Sequence, residues 1–266
     1  MGRQNLFQVF DFRPGDVPLL VSIPHAGEWI PNHLSARMTE IGRRRPDTDW
    51  FVDRLYDVPI MRHVSCLAAR VSRYVVDLNR PPNDQSLYPG QQTTGLCPVT
   101  TFHGDAIYQP GQEPTEVEIS DRVATYWVPY HLKLRDELER LQSQFGRVIL
   151  LDAHSIASRV PRLFDGVLPD WNFGTNRGQS CGSRLQSRVE CYAAELKGYS
   201  WVVNGRFVGG YITRHYGTSA GPVEAVQLEL SQATYLDEPA AAWSDDSAAR
   251  LQARLEDWIK VLLDEV

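Results

Sequence analysis

The stretch Val148-Ile149-Leu150-Leu151-Asp152-Ala153-His154-Ser155 decides the architecture. Four aliphatic residues in a row, with no polar alternation, describe a strand buried on both faces, the kind found inside a parallel sheet. The run then gives way to an acid and a histidine, so its carboxyl end is polar. Before it, Ile119, Val123, Tyr126, Tyr130, Leu134, Leu138 and Leu141 recur at helical spacing. They mark a long amphipathic helix that Pro129 should kink. After it, residues 184–196 read as a helix, 201–203 and 223–230 as strands, and 246–265 as a closing helix.

Upstream, residues 17–23 form another apolar strand, which ends in Pro24-His25-Ala26-Gly27. A short helix is expected near 34–42. Pro46-Asp47-Thr48-Asp49 looks like a second helix start, with Trp50, Val52, Leu55 and Tyr56 at helical spacing. Residues 66–71 and 74–78 read as two extended runs, the second leading into Asn79-Arg80-Pro81-Pro82, where proline ends regular structure. Residues 204–222 are a glycine-rich loop. This alternation predicts an α/β fold: a single domain over residues 1–266, with a mainly parallel, twisted central sheet flanked by helices and with loop insertions near 83–115 and 156–180.

With 42% hydrophobic residues in 266, the chain can bury a sizeable core, which excludes a disordered protein. A net charge of -6 gives no general attraction to nucleic acid. No apolar run approaches the ~20 residues that cross a bilayer. Met1-Gly2-Arg3-Gln4-Asn5 shows no basic segment followed by an apolar one, so no secretory signal is expected. Cys66, Cys97, Cys181 and Cys191 form no C-x-x-C pair and read as free thiols in a reducing cytoplasm. The expected partner is a small molecule, with no nucleic acid and no membrane; composition leaves the oligomeric state open.

In open α/β sheets, sites form beyond the carboxyl ends of the strands. Here those ends carry His25, Asp77-x-Asn79-Arg80, Asp152-x-His154 and Glu229. His25 and His154 are candidate metal ligands, since a catalytic zinc takes three protein ligands plus water. The third ligand should be a carboxylate. Glu28 makes His25-x-x-Glu28, whereas Asp47 and Asp49 open a helix, where they would equally serve as caps. Arg80 could bind a substrate carboxylate through two parallel hydrogen bonds. Arg206 and Arg214 flank Gly209-Gly210 in the late loop. Alternation puts Glu229 and Gln227 on one strand face and Val226, Leu228 and Leu230 on the other. A carboxylate so surrounded could carry a raised pKa suited to acid–base work. Gly217-Thr218-Ser219-Ala220-Gly221 matches G-x-S-x-G but is followed by Pro222 and a strand, not by the helix a serine nucleophile needs.

Six motifs follow one another in order: Ser22-Ile23-Pro24-His25-Ala26-Gly27, Asp47-Thr48-Asp49-Trp50, Val76-Asp77-Leu78-Asn79-Arg80-Pro81, Leu151-Asp152-Ala153-His154-Ser155, Gly209-Gly210-Tyr211-Ile212-Thr213-Arg214-His215-Tyr216-Gly217 and Gln227-Leu228-Glu229-Leu230. Together, over residues 22–231, they closely resemble the N-formylglutamate amidohydrolase (deformylase) family, itself similar to the zinc carboxypeptidases and aspartoacylase in fold and site layout. The resemblance implies a zinc-carboxypeptidase-like fold and a zinc ion held by two histidines and one acid. It also implies a glutamate general base and an Asn-Arg pair for the substrate carboxylate. By position, His25 and His154 are the histidine ligands and Asp49, preferred to Glu28, is the acidic one. Glu229 is the base, and Asn79 and Arg80 bind substrate. Beyond what the resemblance implies, Arg214 is expected to anchor the other substrate carboxylate, and Asp152 is expected either to orient a ligand or to serve as a structural acceptor.

The implied activity is hydrolysis of N-formyl-L-glutamate to L-glutamate and formate, the end of one route of histidine breakdown, by metal-activated water. Cobalt, manganese or iron would also suit such a ligand set. Two rival readings stand beside it. One is a zinc amidohydrolase or carboxypeptidase-like enzyme acting on another N-acyl amino acid or peptide. The other is a non-catalytic binding protein on the same scaffold.

Overall fold

The structure, a computed structural model, describes residues 8–87, 90 and 92–266. The amino-terminal pentapeptide read above and positions 88, 89 and 91 of the expected insertion lie outside the described residues. In chain order the strands of the main sheet are β1 (Phe10–Arg13), β2 (Leu19–Ile23), β3 (Ser65–Ala69), β4 (Val148–Ile156), β5 (Trp171–Gly174), β6 (Trp201–Val203) and β7 (Val223–Ser231); Leu236–Asp237 and Ala242–Trp243 pair separately as a small two-stranded sheet. The helices are α1 (Asn32–Ser35), α2 (Glu40–Arg44), α3 (Val52–Leu55), α4 (Glu116–Arg122), α5 (Val128–Phe145), α6 (Ser183–Glu195), α7 (Tyr211–Tyr216) and α8 (Asp245–Leu263).

Among the described residues, strands β1 to β7 form one sheet in the order β1-β3-β2-β4-β7-β5-β6. Its centre is parallel: β3 with β2, β2 with β4 and β4 with β7. The antiparallel pairings, β1 with β3 and β5 with β7, lie towards the two sides. The α/β fold with a mainly parallel central sheet flanked by helices is therefore present.

The deciding strand shows why two layers of helices form. Ile149, Leu151 and Ala153 join Leu19, Val21, Ile23, Val226, Leu228 and Leu230 in a core covered by α3, α6 and α8, with Trp258 and Leu255 fully buried. Val148 and Leu150 face the other way, with Leu20 and Ala225, onto Tyr130, Leu134, Leu138 and Leu141 of α5. Each such side chain contributes about 1.5–3 kcal/mol by leaving water. On this second face the apolar residues give way after Leu150 to Asp152 and His154, and in β7 to Gln227 and Glu229. That change makes room for a site.

Several boundaries differ from the sequence reading. The helix expected at 34–42 is split into α1 and α2. The run 74–78 forms no strand: turns close on either side of it, Val75 N–H donating to Ser72 O and Arg80 N–H to Asp77 O, while Asp77 N–H reaches across to Leu96 O. It is apolar because Tyr74, Val75, Val76 and Leu78 are buried, not because it pairs in the sheet. β5 lies inside the expected 156–180 insertion, and α7 inside the expected 204–222 loop. The expected kink at Pro129 takes the form of a π-helical turn, Val123–Trp127, immediately before α5. Such a turn accommodates a proline that has no N–H to give.

Candidate metal centre and active site

His25, Asp49 and His154 converge as a buried group able to hold a metal ion. They come from three places: the loop after β2, the segment before α3 and the carboxyl end of β4. His154 Nδ1 lies 3.1 Å from Asp49 Oδ2 and 3.1 Å from His25 Nδ1, and His25 Nδ1 lies 3.7 Å from Asp49 Oδ2. These separations bracket the roughly 3.3 Å edge of a tetrahedron built on ~2.0–2.1 Å bonds, so the donor set fits a zinc-sized ion.

Asp49 is delivered by hydrogen bonds from both sides. Its N–H donates to His25 O at 3.2 Å, and its Oδ2 accepts the Ser155 N–H at 3.1 Å. Tyr235 Oη donates to Trp50 O, and Gln232 Nε2 to Thr48 O, pinning the Asp-Thr-Asp-Trp segment to the chain that follows β7. Asp47, two residues away, turns elsewhere: its Oδ2 accepts the Phe102 N–H at 2.8 Å. Glu28 is 54% exposed and pairs with Arg45 at 3.2 Å. Neither belongs to the cluster.

Each imidazole has a carboxylate behind it. His25 Nε2 lies 2.7 Å from Asp77 Oδ1, and His154 Nε2 lies 2.9 Å from Asp152 Oδ1. Such partners fix the tautomer so that Nδ1 faces the centre. Burial opposes charge on both rings. On His154 it is outweighed by Asp152, Asp49 and Glu229, which raise the pKa well above its ordinary value. On His25 burial and Arg73 prevail and lower it.

Asn79 locks this arrangement. Its Nδ2 donates to Asp152 Oδ2 at 3.0 Å and its Oδ1 accepts the Ile212 N–H at 2.7 Å. Thr213 Oγ1 donates to the same Asp152 oxygen. Gly210 permits this, because a Cβ there would stand 2.5 Å from the Asn79 amide nitrogen. Asn79 thus borders the cavity with its amide already engaged at both ends.

The cluster lines a cleft of about 660 Å3, counted out into its open mouth. Arg80 stands on its wall, its Nε 3.9 Å from Asp77 Oδ2. Leu163, Phe207 and Arg206 also line it. Arg214, expected as a second anchor, is not among the described residues that line the cleft; its guanidinium donates to Gly209 O and Leu87 O. Glu229 is on the wall and only 7% exposed. Burial, with Asp49 and Asp152 nearby, pushes its carboxyl up to about 8 against the pull of His154 and Arg73. The G-x-S-x-G serine, Ser219, is exposed at the opposite end of β7.

The sequence reading missed Arg73 and gave Asp77 no role. Arg73 is 8% exposed and donates to Asp49, Asp77 and Asp47 O. Its only sequence signal is a charge set among Val71, Tyr74, Val75 and Val76.

The profile of the N-formylglutamate amidohydrolase family matches residues 17–236. A Pseudomonas aeruginosa protein named N-formylglutamate deformylase is 48% identical, the match covering 96% of each chain. A Pseudomonas putida protein of the same name is 46% identical over the same shares. The crystal structure of an N-formylglutamate amidohydrolase from Ralstonia eutropha JMP134 superposes with a TM-score of 0.78 at 26% identity, covering 96% of this chain and 94% of that one. A crystal structure of an Agrobacterium tumefaciens gene product, at 21% identity and a TM-score of 0.67, shares the fold.

Proposed function

This chain belongs to the N-formylglutamate amidohydrolase family, and from that premise we propose that it hydrolyses the formamide bond of N-formyl-L-glutamate, giving L-glutamate and formate. The observation that carries the reading is the placement of Glu229 beside the His25, Asp49 and His154 group in one cleft. Likeness to the two deformylases selects the substrate. We further assign the products to histidine breakdown, and free thiols at Cys97 and Cys181 suit a cytoplasmic site of action. Among the described residues no helix is long and apolar enough to cross a membrane.

His25 Nδ1, His154 Nδ1 and Asp49 Oδ2 would hold a divalent ion, zinc being the best match to two imidazoles and a carboxylate. When bound, the ion supplies Lewis acidity, acidifying a water molecule and compensating the charge that develops on the formyl oxygen. Asp77 and Asp152 keep both imidazoles turned towards it.

Glu229 takes a proton from the attacking water and returns it to the departing amine. Burial beside Asp49 and Asp152 raises the pKa of this carboxyl, which makes its carboxylate a stronger base for the first transfer. Arg80 receives one substrate carboxylate through its planar fork. Asn79 acts on the substrate wall through its rigid hold on Asp152 and the start of α7. His25, Asp49, His154 and Glu229 are buried, and the low dielectric around them strengthens their mutual electrostatic interactions.

The test combines metal analysis with formate release. Purified protein should carry one divalent ion per chain and release formate from N-formylglutamate. Stripping with a strong chelator should abolish that release and adding zinc should restore it. Undiminished turnover after stripping would remove the metal from the reaction.

A further inference from the structure

The two oxygens of Asp49 have different partners. Oδ2 faces both histidine Nδ1 atoms and accepts the Ser155 N–H. Oδ1 instead accepts Arg73 Nη1 at 3.3 Å. The other end of the same guanidinium, Nη2, donates to Asp77 Oδ2 at 3.3 Å, and Asp77 Oδ1 stands behind His25. Arg73 is itself fixed: Nη1 donates to Asp47 O at 3.0 Å and the guanidinium lies 4.8 Å from the centre of the Phe102 ring.

We propose that Arg73 is a positioning residue that leaves Asp49 a single oxygen for the ion and so keeps a coordination position open. The inference rests on the metal reading above. With one oxygen and two imidazoles the chain offers three donors, and a fourth place remains for water or substrate. Were Oδ1 free to turn inward, a two-oxygen grip would occupy that place. A planar fork suits the task, because one rigid group holds Asp49 directly and His25 through Asp77. Lysine has three donors but carries them on a single nitrogen at the end of a flexible stem, so it cannot hold the two carboxylates in the fixed spacing of a planar fork. Arg73 therefore ties together ligands that the chain delivers from the loop after β2 and from the segment before α3.

The test uses cobalt as a spectroscopic probe in the full-length protein. Wild type, Arg73→Met and Arg73→Lys are loaded with Co2+, and visible absorption, cobalt affinity, KM and kcat are measured for each. The expected result is that Arg73→Met retains stoichiometric cobalt, but its d–d absorption weakens, as it does when coordination number rises. Its kcat should fall roughly ten- to a hundredfold, as for other groups that orient ligands, with little change in KM. Arg73→Lys should lie between. A wild-type spectrum in Arg73→Met together with a raised KM would put Arg73 on the substrate and overturn the proposal. So would a wild-type spectrum with only a lowered Tm. Should Arg73→Met fail to fold, a wild-type spectrum and kcat in Arg73→Lys overturns it equally. Failure of wild type to bind cobalt, or binding that survives His154→Ala, would instead sink the metal reading itself.

Discussion

His154 of β4 and Glu229 of β7 are directly paired residues on neighbouring parallel strands. A metal-ligand candidate and the candidate base are thus held at one spacing by the centre of the sheet, not by loops. The same register pairs Asp152 with Gln227 one step below, so the groups behind the site are set by the same strands. Sites built on strands are held more firmly than sites built on loops, and this pairing makes the roles of the two residues separable.

Glu229→Gln removes the base while keeping the shape of the side chain. Metal content should remain stoichiometric and kcat should fall by about 10²–10⁴, the usual contribution of a general base. Steady-state formate release with parallel metal analysis checks it; full activity with bound metal would exclude Glu229 from proton transfer.

Asp152→Asn removes the charge behind His154 Nε2. Chelator competition should find the metal bound about 10- to 100-fold more weakly. An unchanged affinity would show that the carboxylate does not orient the ligand.

Arg80→Ala leaves a substrate carboxylate without its cation. Truncating one partner of a desolvated pair costs about 2–5 kcal/mol, so KM for N-formylglutamate should rise more than about thirtyfold. A KM equal to that of wild type would contradict the anchoring role.

His131 offers a test of stability. It is buried, stacks 3.7 Å from Trp127, donates Nε2–H to Leu78 O at 2.8 Å and meets Tyr216 Oη with Nδ1. Burial, more than any other influence, pushes its pKa down to about 3. The folded protein thus keeps this imidazole neutral while the unfolded chain protonates it below about 6.5. Its contribution is full above that pH and is lost as pH falls from about 6.5 towards 3, by up to ~1.4 kcal/mol per unit. His131→Gln should flatten the pH dependence of urea unfolding between pH 6.5 and 5; identical slopes in the two proteins would refute this.

The central strands were legible because unbroken apolar runs such as residues 148–151 and 17–23 can be read without tertiary knowledge. His25, His154 and Glu229 were legible as polar residues at the ends of those runs. The acid was harder: Glu28 and Asp49 both have sensible spacing, and it takes the fold to turn Glu28 out towards Arg45 and Asp49 in towards His154. The run 74–78 looks extended in sequence because burial alone makes a segment apolar, whether or not it lies in a strand. Arg73 was missed for a related reason. A buried cation is explained by its partners, and Asp49 reaches it from a separate segment of chain. Short β5, Trp171–Gly174, is hidden by the glycine- and proline-bearing sequence around it.

β4 pairs on one side with β2, Leu20 lying opposite Leu150, and on the other with β7, Leu151 lying opposite Val226. The middle of the molecule is therefore assembled from the beginning, the middle and the late part of the chain. A polypeptide still being synthesised cannot close its core until β7 has left the ribosome. Such contacts between distant segments slow folding and leave the β7-facing edge of β4 without its partner in the meantime. Fragments that stop short of residue 231 should therefore be recovered poorly, because they lack the partner that β4 meets along Val223–Ser231.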